Sequence, residues 1–517
     1  MTPLRGVKAR RLRLGKGRGS DYAGGVHYDV VIIGAGMSGL AAGIRLAYFD
    51  RRVCIVERHY AYGGLNSYYT LGGREYDVGL HAVTNFARPA ARTATAAPDV
   101  RAPTAKALAA VNDAALADPR PGDRNAPMNK LLRQLRLSPE DFDLKEQTYS
   151  EVRFPGRRLR FSNDVALLID DVATGFPTQA DRFRRLIEIV RAYDDTDLHA
   201  PYRSTRTELS DRITDPALLD MLLCPIMYYG SAEEHDLDFT QFVTLFKALF
   251  LEGLARPPGG VRTILRALVR KYRACGGKLR MRCGVQRIDV DGERAMGVTL
   301  ETGETLTADY VLSSAGRVET MRLCGEVEAE PTDAGRRLSF VESIAVLDEK
   351  PASLGFSPTI VFFNDAERFT YAVPDEPVDL RSGVACSPNN YQEHEHLSEG
   401  VFRITWLASF DRWAAMDDAA YAAAKGAYHQ RFLEQAAAFM PALAGHVVAG
   451  DMFTPRTILH YTGHLGGAVY GSPRKVRDGR TRLRNLFLCG TDQGYLGIVG
   501  AMLSGITMAN LHVLAKS

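Results

Sequence analysis

The chain has 517 residues, 46% of them hydrophobic and 24% charged, with a formal net charge of +3. That length allows roughly two to four domains around a large buried core, and the near-neutral balance argues against a nucleic-acid partner. Seven scattered cysteines, at 54, 224, 275, 283, 324, 386 and 489, form no CxxC pair and no zinc-ligand spacing, so the expectation is a reducing, cytoplasmic setting with no disulfide-reductase chemistry and no metal site.

Residues 1–25 read as a basic flexible tail, since residues 5–18 hold seven Lys and Arg and no acid. A solvated tail is the plain reading. Attraction to an anionic membrane, at about 1 kcal/mol per basic group, is the sharper one. Residues 28–33, Tyr-Asp-Val-Val-Ile-Ile, then read as a buried strand. They run into Gly34-Ala35-Gly36-Met37-Ser38-Gly39, an apolar helix, and a second strand ending at Glu57. This is a dinucleotide-binding βαβ unit in its expected context. Gly34 serves the tight turn, Gly36 the approach of a pyrophosphate, and Gly39 the close packing of helix on strand. Met37 and Ser38 open the helix, whose free N–H groups and positive dipole end face the phosphates. Glu57 stands 23 residues after Gly34, where a carboxylate accepts from an adenosine ribose and excludes a 2′-phosphate. NADP is therefore disfavoured, while NAD and FAD both remain. Arg58, Gly63, Gly64, Asn66 and Ser67 follow closely as further candidate cofactor contacts.

Residues 72–81 end in Asp77-Val78-Gly79-Leu80-His81. Residues 87–127 are rich in Ala, Pro and Arg and almost free of large apolar side chains, so they predict a surface insertion or a lid. Helices are expected over 128–136 and 179–193, and strands over 153–162 and 402–410. Residues 237–254 are apolar on more than one helical face, so they read either as an ordinary core helix or as a helix partly covered by an apolar ligand, another domain or lipid. An amphipathic helix with Val261, Ile264, Leu265, Leu268 and Tyr272 on one face follows, ending at Gly276-Gly277. A strand over 278–289 and a hairpin around Thr302-Gly303 come next. Residues 485–488 read as a short strand leading into Cys489-Gly490-Thr491-Asp492, and Gly497, Ile498 and Val499 lie in a Gly-rich helix start. Residues 493–515 carry no Asp, Glu, Lys or Arg and are long enough to cross a bilayer. Their place behind the Gly-x-Asp loop favours a buried helix of the nucleotide-binding domain instead. The acid and histidine runs at 233–236 and 393–396 read as solvated loops rather than metal ligands.

These stretches resemble the phytoene desaturase, carotenoid isomerase and retinol saturase branch of the FAD-dependent amine-oxidase-like proteins. The matching parts are 29–64, 72–81, 256–261, 276–316 and 485–505. The Asp-x-Gly-x-His run, Thr454-Pro455-Arg456-Thr457, Tyr461-Thr462-Gly463 and Tyr470-Gly471 are most similar to the isomerase and saturase members. The chain departs from the pattern at Ser314-Ala315-Gly316 and over 87–127. The resemblance implies an α/β fold, with a discontinuous Rossmann-like FAD-binding domain from 26–86, 256–320 and 450–517. A mixed α+β substrate-binding domain would come from 128–255 and 321–449.

FAD is the implied cofactor. Val285 would offer adenine a backbone contact, and Gly490 and Asp492 would meet the ribityl or phosphate region. Gly497, Ile498 and Val499 would face the flavin's pyrimidine edge. The implied chemistry is hydride transfer at flavin N5 on carbon–carbon double bonds of a long apolar isoprenoid, as desaturase, isomerase or saturase. His81 is the candidate proton donor, with a structural histidine as the alternative. No second GxGxxG opens a helix, so electrons would leave to a quinone or oxygen, or cycle on the substrate. Peripheral attachment to a membrane surface is expected for an enzyme of such a substrate. The rival readings are an FAD-dependent oxidase of small amines and a non-catalytic prenyl-binding protein of the Rab escort and GDP-dissociation architecture.

Overall fold

The computed structural model describes residues 26–86, 126–326, 337–394 and 397–515. The basic tail, residues 87–125 of the expected insertion, and His396 lie outside the described residues. Two seven-stranded sheets organise the chain. In the first, Val26–Ile33 lies between Val53–Val56 and Thr305–Ser313, parallel to both. The strands Val53–Val56 and Val30–Ile33 are buried on both faces, which is why they read as unbroken apolar runs rather than as alternation. Lys278–Arg280 extends one edge in parallel. Leu486–Leu488 pairs in parallel with the end of Thr305–Ser313. An antiparallel meander, Val285–Asp291 and Arg294–Leu300 into Thr305–Ser313, forms the other edge.

Helices Met37–Tyr48, Val261–Ala274 and Gly497–Met508 share one core on this sheet. Their approach depends on glycine. A Cβ on Gly39 would lie 2.1 Å from the Gly34 carbonyl oxygen, and one on Gly505 would lie 2.0 Å from the Ser38 carbonyl oxygen. Gly497–Leu514 is the one helix among the described residues long and apolar enough to cross a membrane, with a mean hydropathy of 1.5. It packs along Met37–Tyr48, as its place behind the Gly-x-Asp loop leads one to expect.

The second sheet runs in the order Val447–Phe453, Ser339–Leu347, Gly400–Ala408, Ser382–Cys386, Ile360–Asn364, Ser150–Phe154, Arg157–Phe161. It is antiparallel apart from the pairing of Ile360–Asn364 with Ser150–Phe154. Several boundaries differ from expectation. Residues 153–162 are a hairpin rather than one strand, because Gly156 at φ +66 turns the chain after Pro155. Residues 278–289 are two strands, broken where Arg282 takes φ +53. Val447–Phe453 belongs to the second sheet, across the boundary expected at 450. Helix Pro127–Leu135 packs its apolar face, Met128, Leu131, Leu132 and Leu135, into the core of the first sheet, joined there by Leu137, Phe142 and Leu144, although the segment was expected in the second domain.

The apolar stretch 237–254 follows the core-helix alternative. It forms helix Phe239–Phe246 with a π-helical extension, Lys247–Leu251. Phe242, Val243, Phe246 and Leu249 are fully buried among residues of the second sheet and its helices, with Phe161 edge-on to Phe250 and Phe183 tilted against Phe246. Protein covers its apolar faces, while Gln241, Thr244 and Lys247 form a partly exposed polar stripe.

Candidate functional site

Three loops far apart in sequence meet at the C-terminal end of the first strand. Gly34 holds φ +97, and its missing Cβ leaves room for the Ser314 hydroxyl, which donates to the Ile33 carbonyl at 2.8 Å. The departure at residues 314–316 is thus a small side chain filling the slot beside the first glycine. The Gly63 amide donates to the Ala35 carbonyl at 2.9 Å, and Gly36 and Gly63 form a parallel bridge. Gly490 sits against Ser38 and Ser314, and its amide donates to the Ser504 hydroxyl at 2.8 Å. The glycine turn, the Gly63-Gly64 loop and the closing helix are therefore one construction.

This construction fits a dinucleotide's phosphates. Helix Met37–Tyr48 begins at Gly36 with no side-chain cap, so its first N–H groups are left for a ligand. A Cβ at Gly36 would meet nothing nearer than 4.0 Å and one at Gly64 nothing nearer than 3.6 Å, so the space before them is open. Glu57 shapes the turn, its two carboxylate oxygens accepting from the amides of Ala35 at 2.8 Å and His59 at 2.9 Å. Glu57 also lines the large cavity, as do His59, Gly64, Asn66 and Ser67. The His59 Nε2 atom is buried without a partner among the described residues, as suits a neighbour supplied by a ligand. The Cys283 amide donates to the Glu57 carbonyl at 2.7 Å, which brings the strand starting at Val285 beside the acid.

Two predicted contacts are placed differently. Arg58 is exposed and turns away from the glycine turn, its guanidinium donating to the His460 carbonyl at 2.9 Å and lying on Gly463. Asp492 is only 2% exposed. Its carboxylate accepts from the amides of Ser472 at 2.7 Å and Arg317 at 2.5 Å, so it ties two loops together. Its neighbour Thr491 lines the cavity instead. A carboxylate that captures two backbone amides is turned by them, and no spacing rule reveals which amides lie within reach. Gly497 and Ile498 line the cavity beside Thr84, while the Val499 side chain is fully buried in the helix core.

The cavity measures about 1160 Å³ and runs between the two sheets. From the glycine cradle and Gly497 it reaches Tyr228, Tyr229, Phe340, Val384 and Tyr470 on the side of the second sheet. No residue of 237–254 lines it. At its mouth Tyr60, Leu71 and Tyr461 are 58%, 47% and 48% exposed.

One polar group stands out on the inner wall. His81 Nε2 lies 2.8 Å from Glu342 Oε2 and 3.1 Å from Thr405 Oγ1. Thr405 donates to the same Glu342 oxygen at 2.8 Å, and Arg403 Nε donates to Glu342 Oε1 at 2.7 Å. Burial alone would raise the Glu342 carboxyl, but the charges of Arg403 and His81 and their hydrogen bonds pull it down to about 2. Arg403 also donates to the Leu80 and Asp77 carbonyls, and Arg256 grips the Leu80 carbonyl and the Asp77 carboxylate from the other side. Farther out, Tyr69 donates to Asp451 at 2.8 Å, and burial together with that carboxylate raises its phenol.

Glu342, Arg403 and Thr405 were not singled out from the sequence. The available signal was a lone charge in each of two otherwise apolar strands, Ser339–Leu347 and Gly400–Ala408. Their register makes Glu342 and Thr405 direct cross-strand partners. His394, expected in a solvated loop, is instead 1% exposed, with Nδ1 2.6 Å from the Pro388 carbonyl. His27, Asp29 and Asp309 cluster at the opposite end of the first sheet, but Asp29 is already bonded to Arg52.

The family described as flavin containing amine oxidoreductase matches residues 37–511. Prolycopene isomerase 1, chloroplastic, of an Oncidium hybrid cultivar is 23% identical over 93% of this chain and 83% of its own length. All-trans-retinol 13,14-reductase of Danio rerio is 22% identical over 95% of this chain and 87% of its own. All-trans-zeta-carotene desaturase of Myxococcus xanthus is 26% identical over 56% of this chain and 53% of its own. Among solved structures, an oxidoreductase from Methanosarcina mazei superposes with a TM-score of 0.60 at 14% identity, covering 93% of this chain and 99% of its own. A double mutant of putrescine oxidase superposes with a TM-score of 0.60 at 15% identity, covering 95% and 99%. At these identities the structural likeness speaks for the fold.

Proposed function

The chain belongs to the flavin containing amine oxidoreductase family, its cofactor is FAD, and from that premise we propose that it acts on carbon–carbon double bonds of a long apolar isoprenoid. Bound FAD supplies hydride chemistry at N5. The residues proposed to hold it are Gly34, Gly36, Met37, Ser38, Gly39, Glu57, Gly63, Gly64, Asn66, Ser67, Val285, Gly490, Thr491, Gly497 and Ile498. Segments 26–86, 256–320 and the part of 450–517 after the strand Val447–Phe453 would make up the FAD-binding part.

The observation that carries this reading is the cavity, which joins the cofactor cradle to the aromatic walls at Tyr228, Tyr229, Phe340 and Tyr470 and has an apolar rim beside His59. Apolar walls suit a chain that gains ~0.8 kcal/mol per buried CH₂ and needs no ionic anchor. The relatives named as a prolycopene isomerase, a retinol reductase and a zeta-carotene desaturase favour the same substrate class. Tyr60, Leu71 and Tyr461 at the mouth suit loading from a membrane surface, where tyrosine rings settle at headgroup level. His81 would exchange a proton with the substrate. A quinone or oxygen would accept electrons in a net oxidation.

The test is anaerobic incubation of the FAD-loaded protein with prolycopene, all-trans-retinol and zeta-carotene, following flavin absorbance and product mass. A change of two hydrogens marks desaturation or saturation. An unchanged mass with altered retention marks isomerisation. Rapid flavin bleaching by putrescine, with every polyene left untouched, would transfer the protein to the amine-oxidase reading.

A further inference from the structure

The geometry points to Glu342 as a positioning residue that decides which nitrogen of His81 meets the substrate, and so equips His81 as a proton carrier. The inference rests on the reading of the cavity given above. Glu342 is buried and ionised, so it has only lone pairs to offer His81. Thr405 spends its hydroxyl hydrogen on the same Glu342 oxygen, 2.8 Å away. His81 Nε2, facing both, must therefore carry a hydrogen of its own and donate it. That leaves Nδ1. It has no partner among the described residues and is not among the buried unpaired atoms, and His81 lines the cavity.

A carboxylate behind an imidazole, with the other nitrogen open to a cavity, is an arrangement for moving protons. In the neutral ring Nδ1 is a base, and in the charged ring it is an acid. The surroundings hold both the ring and its backbone. Arg403 fixes Glu342 Oε1 and also binds the carbonyls of Leu80 and Asp77, next to His81 in the chain. Arg256 clamps Asp77 and Leu80, and the Tyr391 hydroxyl donates to the His81 carbonyl at 2.8 Å. The titratable and charged groups around the His81–Glu342 pair are Arg403, Arg256, Asp77, Tyr391, Cys386 and Tyr69, with Asp451 behind Tyr69.

The step this permits is redox-neutral. Nδ1–H gives its proton to a terminal carbon of a conjugated polyene, whose π pair becomes the new C–H bond, leaving a delocalised cation. Nδ1 then removes a proton from the same carbon as the double bond re-forms. Bonds along the cation have reduced order and can rotate in between. No electrons leave the substrate, so no oxidant or reductant is consumed.

The test uses FAD-loaded protein carrying ¹⁵N-histidine, with the His81 signals assigned by their loss in His81→Asn. The expected neutral form carries hydrogen on Nε2 and none on Nδ1. In Glu342→Gln the amide oxygen stays with Arg403 and the amide NH₂ turns to Nε2, so the hydrogen should move to Nδ1. A neutral His81 protonated on Nδ1 in the unsubstituted protein overturns the inference, whether or not the variant folds. So does an unchanged tautomer in a folded Glu342→Gln. Where a polyene is turned over in D₂O, deuterium should enter it, and Glu342→Gln with FAD retained should slow that entry by roughly 10²-fold. Deuterium entry at the unsubstituted rate in that variant also overturns it. Failure of every polyene with the Nε2–H tautomer intact sinks the substrate reading and leaves the positioning role standing.

Discussion

The sheet that carries Gly34 and the sheet that carries Glu342 face one cavity but equip it in opposite ways. The first is parallel around Val26–Ile33 and presents mainly backbone: uncapped N–H groups after Gly36, and open space before Gly36 and Gly64. The second is mostly antiparallel and presents side chains, with Glu342 and Thr405 paired across two buried strands and Arg403 beside them. Recognition by backbone requires that side chains be absent, and its failures are steric. Recognition by buried charge requires that each charge be matched, and its failures are electrostatic. One wall therefore breaks when an atom is added, the other when an atom is removed.

The largest expected effect falls on the second wall. Arg403→Met leaves buried Glu342 without its guanidinium partner, held only by His81 and Thr405, and should cost about 3–5 kcal/mol in urea unfolding. Adding Glu342→Leu to it should restore most of that loss, and a double variant no more stable than the single one would break the contrast. On the first wall, Glu57→Ala should weaken FAD binding by about 1.5–3 kcal/mol, the range of hydrogen bonds to a charged group, read by fluorescence titration of the apoprotein. Unchanged affinity would reduce Glu57 to its role in the turn, where it holds Ala35 and His59.

The glycines sharpen the comparison further. Gly39→Ala must push its Cβ against the Gly34 carbonyl and should cost about 1–3 kcal/mol of stability. Gly36→Ala meets no protein atom nearer than 4.0 Å, so its melting temperature without cofactor should match the parent while FAD retention falls. A further effect is a matter of pH. Folding lowers the Glu342 carboxyl from 4.5 to about 2, so its contribution is complete above 4.5 and is lost as pH falls towards 2. Denaturant unfolding across that window should show a shallower decline for Glu342→Gln than for the parent.

The first wall was legible because phosphate binding by backbone constrains residue type at fixed offsets. Gly34, Gly36 and Gly39 had to be glycine for three different steric reasons, and Glu57 had to follow one strand later. The meeting of this turn with Gly490 and Gly497 was likewise legible, since few arrangements use both motifs. Arg58 and Asp492 show where that legibility ended. Each stands in the expected loop, but Arg58 is captured by the His460 carbonyl and Asp492 by the amides of Ser472 and Arg317. Residues 237–254 were read correctly as a helix, and only the packing revealed that protein covers their apolar faces.

By itself, then, the sequence determined a flavin-type cradle, its glycines and its acid, because local backbone geometry admits almost no other residues there. The tertiary structure alone decided the neighbours of His81. Glu342 lies 261 residues away from it and Thr405 324, and only strand register across the second sheet brings the three together. A hydrogen-bond partner is chosen by distance in space, and at such separations along the chain no periodicity or motif records that distance.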